Sequence, residues 1–327
     1  MQMKTTCNAL GLFLVFTIAL FSGDSIAQDF PSKPIRFVVG SQPGGGTDVT
    51  ARLIGQKLSE QLGQPIIVEN KPGANGTIAT DYVAKSAPDG YMLMVGTGGS
   101  MMLAAGLYDK LPYDPVKDFI PITRFNLDPL LFAVHPSLPV NSLKDLVALA
   151  KAKPEGLFYS SAAPEFQVGT ELFNQMAGTK IIHVGFKGAS PSIVATVSGE
   201  VPVIVLSIPP LLAQIRAGKL RPIALAGAER SSFMPEVPTV KEAIGIDFEA
   251  STWAGLFAPA NTPSAVIDKL YGGLRVVLNS DYIKDRSKAQ GRETTGTGMT
   301  PAEFRAIHTE QVAKWKKALK ELGIRAN

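Results

Sequence analysis

A proline and three glycines separate a short apolar run from an amphipathic stretch near the start of the chain. Ile35–Val39 is apolar and contains β-branched residues, which is typical of a buried strand. From residue 48 to residue 62, apolar residues recur every three or four positions, as on one face of a helix, and Gly63 would end that helix. The sequence therefore predicts a strand, a glycine turn and a helix, the first unit of an α/β fold.

The glycine turn is a candidate binding site because backbone N–H groups at a helix start have no partner within the helix. Gly44, Gly45 and Gly46 lack a Cβ, so a ligand can approach this backbone closely. An anion or a carboxylate-like oxygen is the expected guest; a tight turn without a ligand is the alternative. The turn has neither the P-loop nor the G-x-G-x-x-G pattern, and Asp48 would repel a polyphosphate.

Composition excludes several classes of protein. Hydrophobic residues make up 45% of the 327 residues and charged residues only 18%, which allows a large core and two domains of ordinary size. The net charge is +4, and the densest basic group, Lys314, Lys316, Lys317 and Lys320, spans more than one face of a predicted terminal helix. Such a group is typical of a solvated surface, so we expect no nucleic-acid partner.

The first 27 residues have the pattern of a signal peptide. Lys4 precedes an apolar run over residues 9–21, and Ser25-Ile26-Ala27 is a small-x-small cleavage site. We therefore expect a cleaved signal, residues 1–27, and a mature protein that is soluble in the periplasm. Its removal would also remove Cys7, the only cysteine, so disulfides, thiolate metal sites and cysteine nucleophiles are excluded. No metal and no cofactor are expected.

Predicted strands and helices alternate through the mature chain. Residues 107–122 are rich in proline and aspartate and are predicted to be a long surface connection. Residues 161–167 are predicted to be a loop, and Ser190 is predicted to cap a helix with Pro191 at its first position.

The alternation of strands and helices favours a parallel sheet that is covered on both faces. In such sheets ligands bind beyond the carboxyl ends of strands. Five loops at predicted strand ends are rich in glycine, serine or proline, and they follow Val39, Val95, Ser160, Val184 and Leu206. The first two loops belong to one group of strands and the other three to the next, which predicts two α/β lobes with a cleft between them.

Motifs along the whole mature chain resemble those of the periplasmic substrate-binding proteins of tripartite tricarboxylate transporters, also called Bug receptors. The matching stretches, in order, are residues 34–35, 43–48, 51–52, 63–65, 68–74, 87–91, 111–115, 117–119, 183–184, 187–188, 217–221 and 235–239, together with Trp253 and Pro259. The resemblance implies a two-lobed Venus-flytrap fold of the periplasmic-binding-protein type II kind. It implies lobe 1 over residues 28–127 plus 253–327 and lobe 2 over residues 128–252.

The resemblance also implies a function. A receptor of this family captures a small carboxylic acid, largely through backbone N–H groups and waters, and delivers it to the membrane permease subunits of a tripartite transporter or to a sensor. A monomer is expected. Carried over to this sequence, the lobe 1 residues at the carboxylate are Ser41, Gln42, Gly45, Gly46, Thr47, Asp48, Thr97, Gly98 and Ser100. Lobe 2 would contribute Ser160, Ser161, Lys187, Gly188 and Ala189. Asp48 would orient waters and backbone rather than contact the anion.

Two loops depart from the family pattern, and both would face the far end of a ligand. Residues 162–167 replace a glycine- and serine-rich run and introduce Glu165, which would meet a ligand cation or be an exposed loop charge. Ser207 follows Leu206 where many members carry an acidic or amide pair. The identity of the carboxylate therefore does not follow from the sequence.

The alternative function is an exported α/β hydrolase that acts on a small carboxylate or ester. The sequence contains no G-x-S-x-G nucleophile elbow and no H-E-x-x-H motif. His183 lies in a predicted strand and is expected to be a packing residue. We therefore predict that the protein is not an enzyme and has no catalytic residues.

Overall fold

A computed structural model describes residues 30–153, 155–292 and 297–325 of the chain. The predicted signal peptide, with Cys7, lies outside the described residues. Among the helices in these ranges, none has both the length and the apolar character needed to cross a membrane.

Strands and helices alternate along most of the described chain. The strands are β1 (Ile35–Val39), β2 (Ile66–Asn70), β3 (Met92–Thr97), β4 (Phe119–Val134), β5 (Phe158–Ser161), β6 (Ile182–Gly185), β7 (Val203–Ser207), β8 (Arg221–Leu225) and β9 (Ser251–Pro259). The α-helices are α1 (Gly46–Leu62), α2 (Thr77–Ala84), α3 (Ala104–Leu107), α4 (Leu143–Ala152), α5 (Pro164–Ala177), α6 (Ala189–Val197), α7 (Ile208–Arg216), α8 (Val240–Ile244), α9 (Ser264–Asn279), α10 (Asp281–Ala289) and α11 (Pro301–Leu322). A π-helical turn, Gly99–Leu103, joins β3 to α3.

All nine of these strands form one sheet in the order β2-β1-β3-β9-β4-β7-β5-β6, with β8 paired to β4. The pairs β1–β2, β1–β3, β5–β6 and β5–β7 are parallel, as predicted. However, β9 runs antiparallel to β3 and to β4, so the prediction of a parallel sheet was wrong. The physical reason is that β4 and β9 carry the chain between the two halves of the sheet in opposite directions.

The apolar core is divided in the same way as the sheet. One cluster is built from residues 130–250 and includes Phe132, Tyr159 and Phe173. The buried residues of the other two clusters come from residues 30–125 and 253–319, apart from Val168 of α5. The fold is therefore two-lobed: lobe 1 is the half that contains β1, β2 and β3, and lobe 2 is the half that contains β5, β6, β7 and β8. The predicted boundaries between the lobes stay a prediction.

Three local predictions were wrong at element ends. The predicted surface connection over residues 107–122 stops earlier, because β4 already begins at Phe119. Helix α6 begins at Ala189 after Gly188, whose φ of 110° suits glycine, and not after Ser190. The predicted loop over residues 161–167 is helical from Pro164, because proline fits the first position of a helix and Phe166 is buried.

Candidate functional site

The two lobe 1 loops of the predicted site lie side by side. Val39 at the end of β1 pairs with Val95 of β3 in a parallel register, so both loops leave the same edge of the sheet. Gly76 lies between them: a Cβ on Gly40 would lie 2.6 Å from the Gly76 Cα, and a Cβ on Gly76 would lie 3.3 Å from the Ser100 Cβ. The sheet therefore brings residues 41–48 and 97–100 together.

Asp48 holds the glycine turn in place. Its side chain is buried, and Oδ2 accepts hydrogen bonds from the Gly44 N–H at 2.9 Å and from Arg52 Nε at 3.1 Å. Asn70 Nδ2 donates to Asp48 Oδ1 at 2.9 Å and to the Ser41 carbonyl at 3.1 Å. Burial raises the pKa of Asp48, but the hydrogen bonds from Arg52, Gly44 and Asn70 outweigh it, so the pKa lies below its usual value. Asp48 thus orients the backbone of the glycine turn; its predicted role toward waters and an anion stays a prediction.

The turn itself presents free backbone donors. The N–H groups of Gly46 and Thr47 donate to no other described residue, as expected in the first turn of α1. Gly44 and Gly46 are exposed, and a Cβ on either would meet nothing within 4 Å. Ser41 Oγ is buried and has no hydrogen-bond partner within the part of the chain that the structure describes. This combination of open space, free amides and an unsatisfied hydroxyl fits a small polar or anionic guest.

The second lobe 1 loop is more enclosed. Gly98, Gly99 and Ser100 are buried, and Thr97 is half-buried. Thr97 and Ser100 each accept, at 3.4 Å, a hydrogen bond on the side-chain oxygen from the other's backbone N–H. Gly99, which was not among the predicted site residues, supplies the N–H that points to lobe 2. Its neighbours were predicted from the resemblance, and no further signal in the sequence singles out this amide.

Glu165 of lobe 2 reaches that amide. Its side chain is only 8% exposed, and Oε1 accepts a hydrogen bond from the Gly99 N–H at 2.6 Å. Burial raises the pKa of Glu165, against hydrogen bonds from its own N–H, the Gly99 N–H and the Thr97 hydroxyl. The reading of Glu165 as an exposed loop charge was therefore wrong. The contact also shows that the carboxyl-end edge of β3 faces lobe 2.

The remaining lobe 2 candidates divide into buried and accessible residues. Ser160 is fully buried, and its Oγ lies 2.8 Å from Thr196 Oγ1. Ser207 is buried at the start of α7. Lys187 is exposed, whereas Gly188 and Ala189 are half-buried at the start of α6. Since β5 pairs in parallel with β6 and with β7, these residues leave one edge of lobe 2, but the Ser160 hydroxyl is used inside that lobe.

The Ser161–His183 pair is the nearest approach to catalytic geometry. Ser161 Oγ lies 2.8 Å from His183 Nε2, and burial lowers the pKa of His183. No carboxylate among the described residues is hydrogen-bonded to His183, so the pair lacks the third member of a triad. Across the described ranges, no group of three or more His, Cys, Asp or Glu side chains lies close enough to hold a metal ion.

A cavity of about 710 Å³ lies beside β4 and β9, which carry the chain between the two lobes and are called the hinge strands below. It is lined by residues of β4, β9, the loop after β8, and α11, among them Asp128, Trp253 and His308. It includes none of the predicted site residues. We place the candidate site at the glycine turn instead, because the free backbone donors of Gly46 and Thr47 lie there.

Comparisons with known proteins agree with the resemblance. The family model described as the tripartite tricarboxylate transporter family receptor, TctC, matches residues 50–324. Protein BugT of Bordetella pertussis is 33% identical over 327 residues, which cover 99% of each chain. Receptors of this family are periplasmic solute-binding proteins and not enzymes, which excludes the hydrolase alternative.

Two solved structures show the same fold with ligands bound. The R. palustris protein Rpa4515 with adipate has a TM-score of 0.83 and 33% identity, covering 91% of this chain and 99% of its own. MatC from Rhodopseudomonas palustris with bound malate has a TM-score of 0.78 and 31% identity, covering 89% of this chain and 100% of its own. Together with the family match, these similarities show that the chain belongs to the tripartite tricarboxylate transporter receptor family.

Proposed function

We propose that this protein captures a small carboxylate at the glycine turn, in the cleft between its lobes, for a tripartite transporter. The observation that carries the proposal is the pair of free N–H groups of Gly46 and Thr47 beside open backbone. The buried, unpartnered Ser41 Oγ lies in the same turn and offers a further donor. Adipate and malate in the two related structures support a carboxylate as the class of ligand.

The finer details belong to the same proposal. The protein would be exported, cleaved after Ala27, and act as a soluble monomer that presents its closed form to membrane permease subunits or to a sensor. Lobe 1 would comprise residues 28–127 and 253–327, and lobe 2 residues 128–252. The division of the buried core near these positions supports the boundaries.

Few contacts are needed for useful affinity. A micromolar Kd corresponds to about −8 kcal/mol. Hydrogen bonds to a charged group contribute roughly 1.5–3 kcal/mol each, and the start of a helix adds about 0.3–1 kcal/mol. Three or four amide, hydroxyl or water contacts at the glycine turn therefore suffice, before the free energy lost on ordering the ligand is subtracted.

A screen of carboxylates is expected to raise the melting temperature of the mature protein. A ligand at one hundred times its Kd adds about 2.7 kcal/mol to the free energy of unfolding, or roughly 4 °C for a chain of this size. Thermal unfolding with mono-, di- and tricarboxylates measures the shift. Failure of every carboxylate to shift the melting temperature would contradict the proposal.

Gly45→Val should abolish that shift while the protein still folds. A Cβ at this position would already lie 3.1 Å from the Gln42 carbonyl oxygen and 3.4 Å from Ser41 Oγ, so a branched side chain must displace the turn. Gly272→Val is the matched control, since a Cβ there meets nothing within 4 Å in α9 of lobe 1. Calorimetry should find no carboxylate binding by Gly45→Val and unchanged binding by Gly272→Val; an unchanged Kd in both would place the ligand elsewhere.

A further inference from the structure

We propose, on the basis of the proposed function, that Glu165 determines specificity and selects ligands with a single carboxylate. Its own carboxylate already occupies one of the two amide sites at the edge of lobe 1 that faces lobe 2. A second carboxylate on the ligand would compete with it. This residue would therefore separate the receptor from relatives that hold dicarboxylates such as adipate or malate.

The two amide sites are neighbours on lobe 1. The first is the glycine turn after β1, where the N–H groups of Gly46 and Thr47 have no described acceptor. The second follows β3, where the chain turns into helical structure at Gly98 and Gly99 and leaves N–H groups outside the regular hydrogen-bond pattern. Because β1 and β3 are adjacent and parallel, a short ligand with an acid group at each end would span the two sites.

Only the first site is available in this structure. Glu165 Oε1 lies 2.6 Å from the Gly99 nitrogen, and the fit around its carboxylate is tight. A Cβ on Gly99 would lie 3.0 Å from Glu165 Oε1, and one on Gly98 would lie 3.4 Å from Glu165 Cγ. The absence of side chains at both glycines is thus what allows the carboxylate to enter.

Glu165 makes its contact with Gly99 across the cleft between the lobes. Glu165 lies in the first turn of α5 in lobe 2, and Gly99 lies in lobe 1, so the hydrogen bond joins the two lobes. Pro164 before it and the buried Phe166 after it hold that turn against lobe 2. The carboxylate is therefore presented to lobe 1 by a fixed element and not by a mobile loop.

Glu165 excludes a second carboxylate by its position. Its Oε1 accepts the Gly99 N–H at 2.6 Å, and no described Lys, Arg or His side chain forms an ion pair with it that could draw it away. A second ligand carboxylate could reach the Gly99 N–H only by displacing the Glu165 carboxyl group, and burial at that place would disfavour its ionised form. A neutral or donor group at the same end of the ligand meets no such penalty.

The test compares acids of equal length that differ in one carboxylate. Calorimetry is run with butyrate and succinate, hexanoate and adipate, and octanoate and suberate, on wild-type protein and on Glu165→Gln. Wild-type protein should bind the monocarboxylate of at least one pair ten-fold or more tightly than the dicarboxylate. Glu165→Ser, measured alongside, removes the carboxyl group from the Gly99 N–H and should reduce that ratio at least ten-fold by tightening the dicarboxylate. Glu165→Gln keeps the shape and an acceptor for the Gly99 N–H, so it should keep most of the wild-type preference.

Two further variants keep the result interpretable. Glu171→Gln removes a charge from the same helix at a half-buried site that contacts Tyr159 and Asn174 within lobe 2, and should leave the ratio unchanged. Glu165→Ala replaces Glu165→Ser if the latter does not fold. A ratio that is equal in wild-type protein and in the variant with the shortened side chain overturns the role of Glu165. No binding of any carboxylate by any variant tells instead against the proposed function.

Discussion

Replacement of Arg292 by methionine is expected to lower the free energy of unfolding by about 3–5 kcal/mol, because it leaves a buried carboxylate without its partner. Arg292 Nε lies 3.2 Å from Asp128 Oδ2, with side chains 15% and 5% exposed. Arg292 Nε has no hydrogen-bond partner among the described residues, so its attraction to Asp128 is that of an ion pair. Arg292 also donates to Thr50 Oγ1 of α1 at 3.1 Å and so ties the hinge strand to lobe 1. Urea denaturation measures the loss.

The loss should depend on pH. Burial raises the pKa of Asp128, while the Arg292 charge and a hydrogen bond from Asn126 lower it. Without Arg292 the pKa of Asp128 in the folded protein rises further above that in the unfolded chain. The folded variant then binds a proton that the unfolded chain has released, so its stability falls as pH rises through this window. The difference from wild type should therefore be smallest below the ordinary aspartate pKa of 3.8.

An exposed arginine provides the control. Arg230 pairs with Glu242 at 2.9 Å, but both side chains are more than two-fifths exposed, so Arg230→Met should cost far less. The double variant Arg292→Met with Asp128→Asn should recover part of the lost stability, since the buried charge is then gone. Equal losses for Arg292→Met and Arg230→Met, or a loss that does not change with pH, would show that the buried pair does not support the hinge.

Local patterns in the sequence were sufficient for the elements of lobe 1 that build the site. The apolar run predicted β1 with the bounds Ile35–Val39 that the structure has. The helix after it begins at Gly46, two residues before the predicted start, because Gly46 and Thr47 already belong to the helix. The two-lobed fold and the family were also confirmed, since their motifs are spread over the whole chain.

Prolines explain the largest error in the prediction of the fold. Strand β4 contains Pro121 and Pro129, and proline is disfavoured within strands, so its first part resembled a surface connection. The structure tolerates Pro121 because β4 lies at the edge of the lobe 1 part of the sheet and its register shifts between Pro121 and Thr123. A local sequence pattern does not show whether a proline will lie in an edge strand or at a β-bulge.

The role of Glu165 was beyond local reasoning for a different reason. Its partner, Gly99, lies 66 residues away in the other lobe, and nothing near either residue marks the pair. Asn70 was missed in the same way: its side chain spans 29 residues to the Ser41 carbonyl. The predicted serines show the converse, since Ser160 belongs to a strand-end pattern typical of binding loops but its hydroxyl is used within lobe 2. Packing decides which donors are hydrogen-bonded inside the fold, and a local sequence pattern does not show this.

Asp48→Asn should lower the free energy of unfolding by about 2–3 kcal/mol, the contribution of one or two charge-assisted hydrogen bonds. The variant loses the negative charge that accepts hydrogen bonds from the Gly44 N–H and from Arg52 Nε. The conformation of the glycine turn is therefore less stable. Carboxylate affinity should fall at least ten-fold, because the donors of Gly46 and Thr47 depend on that turn for their position. Urea denaturation and calorimetry measure the two effects.

The pH dependence of Asp48→Asn distinguishes this mechanism from a general loss of charge. The pKa of Asp48 lies below 3.8, so its stabilising effect is present above that value and disappears as pH falls through the folded-state pKa. Wild-type protein and the variant should therefore converge in strong acid. Asp81→Asn, which breaks a similar i,i+4 pair with the exposed Lys85, should change stability by less than about 0.5 kcal/mol and leave binding intact. Equal behaviour of the two variants would mean that Asp48 does not organise the binding turn.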